Sequence, residues 1–368
     1  KPEDVYQAVD NCLRNLTANP NRSNTKSNME PERIIYTTRK SIAKLFNIQN
    51  PNRIIFTFNA TDSINLAIKG IIEEGDEVIT SPLEHNAVIR TLNYLKETKK
   101  INIVKINASK EGILNPEDVR KKITTRTRLI VLTHASNVLG TILPIEDVGN
   151  IARERNIVFL LDAAQTAGTY PIDVKKLKID LLAFSGHKGL LGPQGTGVLY
   201  IREGINLTCL RHGGTGSQSE SEIQPDFLPD RYESGTLNMP GIAGLNAGIN
   251  FIQKETIEKI RKHEETLTQI LIDGLREIDK IIIYASQDPK RQVPLVSFNI
   301  SGYKSHEVAD ALAGVFGIIT RAGLHCSPWT HELIGTTSSG TIRLSLGYFT
   351  KEEDVDYVIN CLKKIVKV

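Results

Sequence analysis

The sequence predicts an α/β protein: a mostly parallel sheet flanked by helices, followed by a smaller α+β domain. Three observations carry this prediction. Apolar runs of strand length alternate with helical repeats from about residue 53 to residue 202, and such alternation builds a parallel sheet covered on both faces. At 368 residues the chain is long enough for two packed domains. Past a long helical stretch near residue 240, the pattern changes to period-two strands separated by helices. The expected division is a large domain over 1–245 and a small one over 246–368.

The elements follow in order. Val5, Ala8, Val9, Cys12, Leu13 and Leu16 recur at helical spacing, predicting a helix over 4–16 with Cys12 in the core. Residues 19–31 are rich in Asn, Ser and Pro and read as an exposed loop in which Arg22 is solvated. A helix over 32–46 and a strand over 53–58 come next. Asn59-Ala60-Thr61-Asp62-Ser63 then opens a helix through 72, with Thr61 or Asp62 as its cap. Strands are predicted at 77–80, 101–106, 129–133 and 157–161, alternating with helices at 86–97, 116–122 and 145–155. A strand over 181–184 enters a glycine-rich loop and 197–202 forms another strand. The stretch 211–232 is a polar loop without periodicity. One helical segment over 240–278 leads into the small domain, with strands at 295–300 and 341–346 and helices at 305–316 and 351–366. Cys361, with Val358, Leu362 and Ile365 at helical spacing, belongs to the core.

Composition excludes several classes. Hydrophobic residues make up 40% and charged residues 24%, as in an ordinary soluble protein. A net charge of +3 and a pI near 8.5 are too mild to argue for nucleic acid or an anionic membrane as partner. No apolar run reaches the length of a membrane span, and no secretory leader is visible. The four cysteines, at 12, 209, 326 and 361, form neither CxxC pairs nor a disulfide framework. This fits a cytoplasmic protein, and no metal site is expected. The chain opens on Lys1 rather than Met, so preceding residues are expected.

Three stretches carry chemistry. In Ala183-Phe184-Ser185-Gly186-His187-Lys188-Gly189, a lysine follows an apolar strand and precedes Leu191-Gly192-Pro193-Gln194-Gly195-Thr196-Gly197. Alone, such a lysine is an ordinary surface residue, but a lysine amine can also form a Schiff base with a carbonyl cofactor. Upstream, Asp162-Ala163-Ala164-Gln165 ends an apolar run; downstream lies Arg321-Ala322-Gly323-Leu324-His325-Cys326. His85, Asn137 and Asp162 all fall just after predicted strands, where the crevice of a parallel sheet collects its ligands. Ala60 and Thr61 at a helix start offer backbone N–H groups and a dipole suited to an anion. The stretch is not a P-loop, because no Gly-Lys-Ser/Thr follows.

Together these stretches resemble the cysteine desulfurases (NifS- and SufS-like) of the class V aminotransferases, pyridoxal-phosphate (PLP) enzymes of the fold type I transferase class. The resemblance covers nearly the whole chain. It implies that Lys188 holds PLP and shuttles protons, that Asp162 pairs with the pyridine nitrogen, and that Gln165 bonds the phenolic oxygen. His85 would stack on the ring, and Asn137 would lie near the ring oxygen and the substrate. Ala60, Thr61, Ser185 and His187 would surround the phosphate. Thr236 matches a residue that relatives supply from a neighbouring subunit, so a homodimer is implied. Arg343 would clamp the substrate carboxylate, since a guanidinium fork matches it with two parallel bonds. Cys326 would take sulfur from L-cysteine as a persulfide and leave L-alanine. A thiol needs a nearby cation to act so, and Arg321 and His325 are close enough in sequence to help. Relatives carry a short strand and an Asn-Ala-Ala-type segment before the first helix; this chain departs from them there.

The short Cys326-to-Arg343 segment and Tyr232-Glu233-Ser234-Gly235-Thr236 resemble the short-loop branch of the family. That branch implies slow turnover alone and a sulfur-acceptor protein as partner. Two alternatives stay open: L-selenocysteine as the true substrate of a selenocysteine lyase, or a class V aminotransferase or epimerase that does not use Cys326. A non-enzymatic regulator would need a DNA-binding module, for which there is neither a basic patch nor spare length.

Overall fold

The structure, a computed structural model, describes residues 1–16, 26–286 and 288–367. A seven-stranded sheet holds β1 (Ile54–Thr57), β2 (Glu77–Thr80), β3 (Asn102–Lys105), β4 (Thr127–Thr133), β5 (Val158–Asp162), β6 (Leu181–Ser185) and β7 (Gly197–Ile201). Their order is β1-β7-β6-β5-β4-β2-β3. Strands β2 to β6 are mutually parallel, whereas β7 runs antiparallel to both of its neighbours. The predicted mostly parallel sheet is therefore present. Reversal of β7 leaves β1 pointing the same way as β2 to β6, so the carboxyl ends of all six strands lie along one edge.

Strand residues are apolar on both faces and sort by parity. Ile130, Leu132, Phe159, Leu161, Leu182 and Phe184 enter one core, and Leu129, Val131, Leu160, Leu181 and Ala183 enter the other. A strand buried on both sides reads as a continuous apolar run, as these do. The second face is covered by α3 (Ala60–Ile71) and α4 (Asn86–Thr98) through Ile64, Ile68, Val88 and Leu92. Beneath the first face lie α2 (Lys26–Phe46), α6 (Ile145–Glu154) and α7 (Met239–Glu255), through Phe46, Val148, Ile151, Ile242 and Leu245. The helix α1 (Glu3–Asn15) packs on α7, burying Cys12 against Met239 and Ala243. Leu13, expected on the apolar face, is 65% exposed.

A second, antiparallel sheet has the order β10-β11-β9-β8, from β8 (Ile281–Tyr284), β9 (Leu295–Ile300), β10 (Arg321–Gly323) and β11 (Thr341–Ser345). Its core joins Val296, Phe298 and Ile342 to residues of α8 (Ile257–Arg276), α9 (Ser305–Phe316) and α11 (Glu352–Lys367), including Leu271, Leu312 and Cys361.

Three differences from expectation have physical causes. Helix α2 begins at Lys26 and runs through Pro31, so the end of the predicted loop is helical; residues 19–25, Arg22 among them, lie outside the described residues. The single helix predicted over 240–278 is two. Thr256, at φ 68°, closes α7 with its N–H on Ile252 O and opens α8 with its side chain accepting from Lys259 N. The short β8 and α10 (Pro328–Ile334) went unpredicted, being too brief to show a period. Among the described residues no helix is long and apolar enough to cross a membrane.

Candidate active site

The carboxyl edge of the large sheet gathers the chemistry. Asp162 is the last residue of β5 and is buried, with Oδ1 accepting from Ala164 N at 2.9 Å. Burial pushes its carboxyl above the ordinary aspartate value, while the Ala164 N–H and the Lys188 ammonium pull the other way. Lys188 follows β6 in a reversal closed by Gly186 N on Thr196 O and Gly192 N on Gly186 O, both 2.8 Å. Glycine is required there. A Cβ at Gly186 would meet Thr196 Oγ1 at 2.3 Å, and one at Gly189 would meet the Ala167 carbonyl at 2.6 Å. The Lys188 side chain meets solvent, yet protein surrounds the amine on most sides. Burial lowers its affinity for a proton, Asp162 opposes this, and Arg343 and Arg321 reinforce it.

His85 caps α4, its Nδ1 accepting from Ala87 N at 3.0 Å. Burial holds the ring down to about 4, aided by the charges of Lys188, Arg321, Arg90 and Arg343, so it is a neutral, flat surface at physiological pH. With Thr61 and Cys326 it lines a cleft of about 340 Å³ that also includes Lys69 and Arg90. At the start of α3 the cap is Asn59, not Thr61 or Asp62: Asn59 Oδ1 accepts from Asp62 N at 3.0 Å. Ala60 N donates to Ser185 Oγ at 2.9 Å, tying the helix start to the end of β6. The Thr61 N–H lies in the first turn of α3, where a helix leaves its donors without intrahelical acceptors, and the buried His187 Nδ1 has no partner.

The small sheet supplies the opposite wall. Arg321 and Arg343 are cross-strand partners on β10 and β11, an unfavourable pairing unless an anion comes between them. Arg321 Nη2 lies 3.2 Å from Cys326 Sγ. Arg343 Nη1 donates to Asn137 O at 2.8 Å, its buried Nε is unpartnered, and burial beside Arg321 lowers the guanidinium to about 10. Cys326 follows β10 in a turn where His325 and Cys326 have φ of 49° and 61°. This left-handed region costs a non-glycine residue about 1–2 kcal/mol. His325 does not assist the thiol as expected. It is 2% exposed and turned toward β11, with Nε2 on Thr341, and burial lowers it to about 3. The cation beside the sulfur is Arg321.

Asn137, after β4, is buried between the walls; its Nδ2 donates to His325 O and its Oδ1 accepts from Ser327 Oγ, both 2.6 Å. Gln165, in the turn after Asp162, is half-buried. Thr236 lies apart from this cleft in the same chain, exposed at the rim of a cavity of about 830 Å³ with Tyr36, Arg39 and Gly214.

Sequence reasoning missed the parts of five residues. Glu84, whose Oε1 joins Ser81 and Thr133 N, is buried and pushed up to about 8 by desolvation. The buried Arg39–Glu233 pair fixes the root of the 211–232 loop, with Glu233 Oε1 also accepting from Phe56 N. Ser327 and the Asn86 N–H, which donates to Cys326 O at 2.7 Å, anchor the thiol turn. For Glu84, its place beside His85 was the available signal; the other contacts join residues far apart in sequence.

Comparison with known proteins agrees with this geometry. The model of the class-V aminotransferases matches residues 1–358. A probable cysteine desulfurase of Pyrococcus abyssi is 34% identical over 374 residues, covering 100% of this chain and 92% of that protein. The apo structure of a cysteine desulfurase from Thermococcus onnurineus superposes with a TM-score of 0.94 at 32% identity, covering 100% of this chain and 92% of that one. The cysteine desulfurase CsdA of Escherichia coli gives a TM-score of 0.89 at 27% identity, with coverage of 100% and 92%.

Proposed function

This chain belongs to the class-V aminotransferase family, among its cysteine desulfurases, and we propose that it converts L-cysteine to L-alanine while Cys326 takes the sulfur. The observation that carries the reading is a convergence: Lys188 and the buried Asp162 on one wall of a cleft, with a thiol held against a guanidinium on the other.

The family is PLP-dependent, and the residues present fit that cofactor. A buried carboxylate, Asp162, suits a protonated ring nitrogen. The first-turn Thr61 N–H and the orphaned His187 Nδ1 suit a phosphate, with Ala60 and Ser185 tied together behind them. The neutral His85 ring suits stacking, and Gln165 would bond the phenolic oxygen. Lys188 would hold the cofactor, which supplies an electron sink for the substrate Cα. The protein's residues do the rest. Arg343, with Nε free and Asn137 beside it, binds and orients the carboxylate. The lowered basicity of Lys188 suits it to move the proton at Cα. The Cys326 sulfur attacks the substrate sulfur; the C–S bond breaks, its electron pair returns to carbon, and protonation there yields alanine and a persulfide. Arg321 keeps positive charge at the attacking sulfur.

We further read the chain as a large cofactor-binding body over 1–245 and a small body over 246–368 that carries the thiol. It would act as a cytoplasmic homodimer in which Thr236 reaches across to the partner's site, and the persulfide would pass to an acceptor protein. The test is release of alanine and sulfide from L-cysteine under reductant by the wild type and Cys326→Ala, with L-selenocysteine in parallel. We expect the mutant to lose both products from L-cysteine, by about 100-fold or more. A PLP-loaded wild type that makes no alanine from either substrate overturns the reading. Selenocysteine turnover that alone survives the mutation moves the assignment to selenium chemistry.

A further inference from the structure

Cys326 occupies a chain reversal that its own residue types resist, since it and His325 both have positive φ. Three hydrogen bonds to the large sheet's carboxyl edge hold it there. Asn137 Nδ2 donates to the carbonyl before the thiol residue, His325 O, at 2.6 Å. The Asn86 N–H, at the first turn of α4, donates to the Cys326 carbonyl itself at 2.7 Å. Ser327 Oγ, on the residue after it, donates to Asn137 Oδ1 at 2.6 Å. One side-chain amide thus grips the chain on both sides of the sulfur, and Ser327, fully buried, closes the grip.

A primary amide can rotate about its Cβ–Cγ bond and present either end to a neighbour. The Ser327 hydroxyl, donating to Oδ1, selects the orientation that aims Nδ2 at His325 O. The His325 carbonyl, which can only accept, favours the same orientation; without the hydroxyl the buried Oδ1 loses its partner and the amide is held at one end only.

We propose that Ser327 is a positioning residue for Cys326: through Asn137 it fixes the reversal and keeps the sulfur against Arg321 at the cleft wall. The inference rests on the reading of Cys326 as the nucleophile. It does not require Ser327 to touch substrate or cofactor.

The test uses Ser327→Ala, Ser327→Thr and Ser327→Val, with two independent readouts. The first is the rate at which iodoacetamide alkylates Cys326 in cofactor-free protein, followed on the Cys326 peptide by mass spectrometry. The second is kcat and KM for alanine formation by the PLP-loaded enzyme. We expect S327A and S327V to lower kcat about tenfold with KM held within about twofold, and to slow alkylation about threefold, while S327T restores both kcat and alkylation. The sole tryptophan, Trp329, lies under the Lys105 ammonium at 4.6 Å, so its emission should shift in S327A and S327V and return in S327T.

Alkylation and kcat unchanged in S327A, or S327T behaving as S327A does, would overturn the proposal. If S327A does not fold, the Thr and Val variants decide, because they share one shape and differ in the hydroxyl. A wild type that forms no alanine sinks the desulfurase reading instead. The alkylation series then still decides the clamp: loss in Val with rescue in Thr supports it, and a flat series removes it.

Discussion

The two walls of the cleft are built in opposite ways. The Lys188 wall is local: its reversal is closed by bonds between residues six and ten apart and by glycines where backbone meets backbone, over strands buried on both faces. The Cys326 wall is assembled from afar. Its turn bears two residues in the left-handed region and is held by contacts 188 and 190 residues apart, beside a pair of cations. A site half local and half long-range separates two duties. The first wall would persist in any fold that keeps β5 and β6 adjacent, whereas the second exists only when the two sheets are docked.

Substitutions can break that contrast. Lys188→Ala should be the most severe, lowering alanine formation by about 10⁴-fold and altering the visible absorption of the loaded protein. Retention of near wild-type rate would show that the first wall is not where the chemistry starts. Next, Arg343→Lys keeps the charge and loses the fork. KM for L-cysteine should rise about tenfold with kcat little changed, and an effect confined to kcat would argue that Arg343 serves the thiol instead.

A third effect concerns acid stability. His325, held to about 3 against an ordinary 6.5, is neutral in the fold and gains a proton on unfolding anywhere between those values. The unfolded state therefore binds more protons in that window, so stability falls as pH drops from about 6.5 toward 3. His325→Gln should flatten the decline, by on the order of 3 kcal/mol at pH 4. Equilibrium unfolding in urea across that range measures it; parallel curves would show that His325 does not titrate as its burial requires. His134, lowered to about 3 by burial and Arg261, keeps a residual slope in the variant.

The contrast between the walls also explains what could be read from the sequence. Strands β4, β5 and β6 were legible because double-sided burial makes unbroken apolar runs, Asp162 because it ends such a run and Lys188 because it lies just past one. Cys326 and Arg343 were legible only through their motifs. The role of His325 was misjudged because adjacency in sequence does not say which way a side chain turns, and here the positive φ pair sends it inward. Thr256 hid the break between α7 and α8, since a threonine in a helical pattern carries no signal of left-handed backbone. Ser327 carried no signal in the sequence, because its partner lies 190 residues away.

That break has a mechanical consequence. Helix α8, 20 residues long, is the arm on which the small sheet rides, through Leu267, Leu271 and Leu275. At 1.5 Å per residue the arm is about 30 Å long, so a pivot of 2° at its root sweeps the far end through roughly 1 Å. The fulcrum is Thr256, one residue serving as the end of one rod and the start of the next. Gearing of this kind makes the spacing between thiol and amine depend on an angle set at a threonine outside both walls.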